Sequence, residues 1–259
     1  MMENAKCLKK RLFVLILIGL MASLFFLMTA CESKKDKNEI SKNVTVLVDF
    51  SASAKNARPH YADAWEKIMS KVKMNDHVFA WKISAHSAME PAALVDEAFM
   101  SDEPPKNNFQ KRQLSRNMLK NIDQAKVKLL IAMNSETKFS GRTSIFDSLQ
   151  VVERSFKNNK RDRSILVIMS DMVEDSRYNF EKENLTDNRI DAIISELKKK
   201  QLICDLSGVQ VYVVGASATG AVANDRFNRI KKLWLRYFKE TGANLREENY
   251  GSALIGFNE

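Results

Sequence analysis

Three short runs in this chain are almost unbroken apolar sequence: Val44–Val48 (VTVLV), Ser164–Met169 (SILVIM) and Val209–Val214 (VQVYVV). A strand with one wet face alternates apolar and polar residues. A strand covered on both faces does not. These runs therefore predict central strands sandwiched between helices. The stretches between them supply the helices. From Pro59 to about Lys73, Tyr61, Ala64, Trp65, Ile68, Met69 and Val72 recur at three- and four-residue steps. Phe109 to about Met133, a segment opening at Thr143 or Ser144, Asp187–Lys200 and Asp225–Thr241 repeat that pattern. His77–Ser84 alternates as a further strand, Glu90–Phe99 is a candidate edge strand, and Leu245–Phe257 closes the chain with another. Strand and helix alternate with connections long enough for crossovers. The fold class predicted is α/β, with a doubly wound, mostly parallel central sheet and helices on both faces.

Lys9, Lys10 and Arg11 precede Leu12–Ala30, which carries no charge. A basic start, an apolar run and small residues read as an export signal. Leu27-Met28-Thr29-Ala30-Cys31 resembles the lipobox of bacterial lipoproteins, which implies acylation of Cys31 as the first mature residue. A plain transmembrane anchor is the alternative. Both place the domain outside the cytoplasm, because the positive residues stay inside. The organisation expected is a signal over 1–30, a flexible polar tether over 31–43 and a folded domain over 44–259. The chain has three cysteines. Cys7 and Cys31 lie in these leading segments, so the domain keeps only Cys204, read as an inert buried thiol with no disulfide partner. The formal charge of +9 is spread rather than gathered with aromatics. Nucleic acid is therefore not an expected partner, and anionic headgroups explain the bias equally well.

The first apolar run stops at Asp49 and continues Asp49-Phe50-Ser51-Ala52-Ser53. Oxygen-bearing side chains thus stand at alternate positions just beyond a buried strand, on the edge where open α/β sheets bind ligands. About ninety residues later comes Gly141-Arg142-Thr143-Ser144, opening a helix. SILVIM then ends in Ser170-Asp171. Singly these are ordinary capping and loop residues.

As an ordered set, DFSAS, GRTS and SILVIMSD resemble the von Willebrand factor A (VWA) domain family with its metal-ion-dependent adhesion site. The resemblance covers about Val44 to Phe257. It implies that Asp49, Ser51, Ser53, Thr143 and Asp171 hold one divalent cation, Mg²⁺ or alternatively Ca²⁺ or Mn²⁺. It also implies that a protein partner supplies a carboxylate to complete the shell. Mg²⁺ is hard and takes six oxygens, so such a donor set suits it. Met172 stands where the family commonly has Gly, and Ala52 and Ala54 where it often has Gly and Met. These departures touch loop shape, not ligands. Glu174 and Asp175 read as a solvated acidic loop, the alternative being extra oxygens for the cation. The function expected is a lipid-anchored binding module. Its rivals are a scaffold with a vestigial site and a metal-dependent hydrolase. Against the hydrolase, His60, His77 and His86 show no paired-ligand spacing.

Overall fold

The computed structural model describes residues 40–85, 87, 92–100, 105–135, 142–218 and 221–257. The export signal, Cys31, His86 and Gly141 lie outside them. The chain divides between Ile40 and Ser41, and the unit from Ser41 carries the whole sheet. Among the described residues no helix is long and apolar enough to cross a membrane.

The strands are β1 (Lys42–Asp49), β2 (His77–Ile83), β3 (Val95–Ala98), β4 (Arg163–Met169), β5 (Gln210–Val214) and β6 (Asn244–Gly251). The helices are α1 (Arg58–Met69), α2 (Asn108–Ser135), α3 (Ile145–Asn158), α4 (Asp187–Lys199) and α5 (Ala221–Glu240). The six strands lie in the order β3-β2-β1-β4-β5-β6. All pairings are parallel except β2 with β3. This is the α/β architecture that the three apolar runs predict, with an antiparallel strand on one edge.

β1 runs through the middle, and all eight of its residues are buried. Val46 lies between Ala80 of β2 and Val167 of β4. Successive side chains point to opposite faces of a strand. Val44, Val46 and Val48 accordingly enter a core with α1 and α2, while Leu47 enters a second core with α3, α4 and α5. The run reads as continuous because both of its faces are dry. Each Val or Leu so buried contributes roughly 1.5–3 kcal/mol. The second core closes on aromatics: Phe146, Phe180, Trp234 and Tyr237 meet at centroid distances of 4.8–6.2 Å.

The folded unit starts earlier than its apolar sequence suggests. β1 begins at Lys42 rather than Val44. Partners distant in sequence recruit these polar residues. The Ser41 amide and hydroxyl both donate to Asp162 Oδ2, at 2.8 and 2.7 Å, and the Lys42 amide donates to Asp76 Oδ1 at 2.8 Å.

Candidate functional site

β1 and β4 are the neighbours at which the sheet's order reverses: β2 and β3 lie to one side, β5 and β6 to the other. At such a point the crossovers leave in opposite directions and open a crevice at the strands' carboxyl ends. Val48 pairs with Met169, so Asp49 and Ser170 come level there.

The polar groups at this corner are linked. Ser170 Oγ donates to Asp49 Oδ2 and the Ser51 amide to Asp49 Oδ1, each at 2.7 Å. The Ser51 and Ser53 hydroxyls lie 3.0 Å apart. The Ser53 hydroxyl lies near enough to the Asp171 carboxylate to favour its ionised form, and Asp171 Oδ1 accepts the Val173 amide at 3.0 Å. The alternate spacing achieves this because the chain passes almost directly from strand to the 3-10 turn Ser53–Ala57. That turn folds Ser53 back beside Ser51. Three of the five sequence-predicted ligands, Asp49, Ser51 and Ser53, thus form one hydrogen-bonded group, with Asp171 beside it.

Thr143, the fifth, is buried but not joined to them by its side chain among the described residues. Its main chain is fastened to the Asp171 loop instead. The Thr143 amide donates to the Asp175 carboxylate, and the Asp175 amide donates to the Thr143 carbonyl at 3.2 Å.

Ser170 is a residue that motif reading passes over. It is fully buried and orients Asp49. The signal available for it is the levelling of parallel strand ends, which puts the residue before Asp171 opposite Asp49.

Met172 keeps a left-handed backbone, with φ of 65°. Glycine adopts that conformation freely and other residues rarely do. Here the turn survives because Met172 packs wholly into the second core and Trp234 Nε1 donates to its carbonyl at 2.9 Å.

The two carboxylates feel each other's charge, Asp49 fully buried and Asp171 half-buried. Burial, and then the charge of Asp171, push the Asp49 carboxyl up to about 6, against the hydrogen bonds from Ser170 and Ser51. Burial likewise raises Asp171, against the Val173 amide and Ser53. No ion pair with a described Lys, Arg or His offsets either charge. Two tyrosines complete the surroundings. Tyr61 and Tyr250 are held far from ionising by burial, Tyr61 also by both aspartates and Tyr250 by Asp171. Both hydroxyls are buried without a hydrogen-bond partner. Tyr61 reaches this position because Gly215 has no side chain. A Cβ there would meet its ring at 2.5 Å.

Buried polar atoms are nearly always satisfied, by protein, water or an ion. Two unmatched acids, three serine hydroxyls and two orphan tyrosine hydroxyls fit a hydrated hard cation. Among the described residues no three His, Cys, Asp or Glu side chains converge as a metal site, at this corner or elsewhere, so a cation here would rest on two carboxylates and neutral oxygens.

Glu174 corrects two expectations. It is not in a solvated loop: it is fully buried. Nor does Thr143 or Ser144 cap α3 through its side chain. Ser144 Oγ is committed to Asp147 Oδ2 at 2.8 Å. Glu174 caps the helix instead, Oε2 accepting from the amides of Ile145 at 2.6 Å and Phe146 at 3.4 Å. Its Oε1 accepts from Ser176 and Arg177 at 3.1 and 2.9 Å. Burial nonetheless raises it to about 7. This carboxylate ties the Asp171 loop to the helix that follows Thr143, a bond 29 residues long that no local spacing announces.

The other singled-out residues lie apart. His77 Nε2 meets Asp96 Oδ1 at 2.6 Å at the opposite end of β2. Cys204 is buried, and burial pushes its thiol up to about 11, as expected of an inert thiol.

No family model and no curated protein matches the chain. Among solved structures the chain is similar to a PilB minor pilin from Streptococcus sanguinis, at 13% sequence identity and a TM-score of 0.44. The match covers 86% of this chain and 58% of the pilin. This chain therefore spans little more than half of that protein's length, and so slight a likeness transfers no function.

Proposed function

We propose that this is a membrane-anchored, extracytoplasmic binding module that grips a protein partner through a divalent cation. The observation that carries the reading is the uncompensated acid pair Asp49 and Asp171. It stands at the sheet's reversal point, surrounded by hydroxyls and orphan tyrosine oxygens. The cation's contribution is positive charge and an open coordination position for an incoming oxygen. Asp49 and Asp171 supply charge to hold it, directly or through water. Ser51 and Ser53 offer neutral oxygens, and Ser170 and the Ser51 amide orient Asp49. Thr143 is the fifth ligand in this reading, carried by a loop that Asp175 fastens and Glu174 braces. Two carboxylates and neutral hydroxyls leave Mg²⁺ short of oxygens, so a partner's Asp or Glu completes the shell. Ca²⁺ or Mn²⁺ fits the same hard donor set. Binding of this kind needs no general base.

The test is affinity capture from solubilised envelopes with Mg²⁺ or chelator. A partner retained by wild type only with Mg²⁺, and by Asp49→Ala under neither condition, supports the proposal. Capture that survives chelation favours the scaffold reading. Anchoring has a separate test. A fatty-acid analogue should label wild type and not Cys31→Ala, and equal labelling of both would contradict acylation.

A further inference from the structure

α2 is 28 residues long, about 42 Å at 1.5 Å per residue. The eight residues of β1 span only about 26 Å at 3.3 Å per residue. The helix therefore overhangs the sheet it packs on. Ile122, Ala125, Leu129 and Met133 form its buried face. The opposite side is not the polar surface that a one-sided helix should present. Phe109, Leu119, Val127 and Ile131 are 74%, 62%, 52% and 58% exposed. At 3.6 residues per turn these four fall within a sector of roughly 120°, about opposite the buried face. Single exposed apolar residues are ordinary, but a stripe of four large ones along one helix is not.

Cations share that sector. Arg112, Arg116 and Lys120 are exposed among the apolar side chains, with Asp123 the one acid there. The whole helix carries six basic residues against one acidic, a net of +5. Lys126 and Lys128 pair with Glu66 and Glu97 of neighbouring elements. Arg112, Arg116 and Lys120 form no ion pair among the described residues.

We infer that this face of α2 docks on an anionic lipid surface. Apolar side chains interleaved with snorkelling cations suit a headgroup layer, which takes the former into its acyl boundary and the latter among its phosphates. A second copy of the chain is disfavoured, since two helices of +5 would meet face to face. Arg116, Leu119, Lys120 and Val127 line a wide, open depression on this face, and its cationic rim suits anionic headgroups. The inference is independent of the metal site, which lies at the carboxyl ends of β1 and β4.

The test is acetylation footprinting of the full chain in proteoliposomes, either wholly zwitterionic or containing phosphatidylglycerol. The readout is Lys120, with Lys199 and Lys239 as controls. Both controls are exposed on α4 and α5, across the sheet from α2. Lys120 acetylation should fall at least about fivefold in the anionic vesicles, since each cation near such a surface gains about 1 kcal/mol. The controls should not change. At about 0.5 M salt, where screening shortens to roughly 4 Å, the protection should largely vanish. Arg112→Glu with Arg116→Glu, and separately Leu119→Ser with Val127→Ser, should each restore Lys120 reactivity. All four positions are exposed, and an unchanged unfolding midpoint confirms the fold. Equal Lys120 reactivity in both vesicle types overturns the inference, as does equal protection of the controls. Protection in native envelopes but not in purified lipid overturns it in favour of an acidic protein partner.

Discussion

Buried aspartates stand at both ends of β1, and they are treated in opposite ways. At the amino end Asp76 is fully buried, which raises its carboxyl, but it is supplied with its own cation and amides that work against the rise. It accepts the amides of Lys42 and Lys73 at 2.8 Å each, and the Lys42 ammonium lies 3.6 Å away. At the carboxyl end Asp49 is also buried, but the charge that most shapes its ionisation is another carboxylate, Asp171. A buried acid supplied with its own cation is architecture. A buried acid and a half-buried one that repel each other lower stability unless something positive arrives, and that is how binding sites differ from cores.

The largest effect that can break this contrast is at the amino end. Asp76→Ala strands two amides and leaves the Lys42 ammonium buried without its partner. A loss of about 3–5 kcal/mol is expected in urea unfolding, the same with and without Mg²⁺. A loss under about 0.5 kcal/mol would mean that Asp76 holds nothing together.

The carboxyl end should respond with the opposite sign. Asp49 rises from 3.8 to about 6 on folding. Between those pH values the folded chain binds more protons than the unfolded one, so stability falls as pH rises through this window. A shift of about two units corresponds to roughly 3 kcal/mol for the cation-free protein. Asp49→Asn should therefore stabilise the cation-free protein at pH 8 by about 1–3 kcal/mol, because it keeps an acceptor for the Ser51 amide while removing the charge. Its decline with rising pH above about 4 should become shallower, the remainder belonging to Asp171, Asp76 and Glu174, which burial also raises. A destabilised Asp49→Asn protein would place Asp49 with Asp76, as architecture.

Glu174 stands between the two cases. It is buried and raised, yet its four hydrogen bonds all come from main-chain amides. Glu174→Gln turns an amide donor toward Ile145 and Phe146. The expected loss is about 1–3 kcal/mol at pH 8, read by chemical unfolding. The same variant should weaken Mg²⁺ binding modestly, because the Thr143 and Asp171 loops lose their brace.

The contrast explains what the sequence disclosed. Val46, Leu166 and Val211 lie in adjacent strands as their unbroken runs predict, because two dry faces erase alternation. Asp49, Ser51 and Ser53 were legible because strand, turn and hydroxyl lie within five residues. Ser170 was half legible, since parallel register alone brings it to Asp49. Asp76 and Glu174 were not legible. Their partners are amides 34 and 29 residues away, and amides carry no letter in a sequence. Nor could spacing show that Tyr61 lies against Gly215, a contact between α1 and the end of β5.

The central claim is that the carboxyl end of β1 awaits a divalent cation. Its most direct test is chemical unfolding of wild type and Asp49→Ala, each with chelator and with Mg²⁺. If the cation binds only the folded state, Mg²⁺ at about 100 times its dissociation constant should stabilise wild type by about 2.7 kcal/mol. Asp49→Ala should gain nothing. An equal shift in both proteins, or none in wild type at millimolar Mg²⁺, Ca²⁺ and Mn²⁺, would contradict the account.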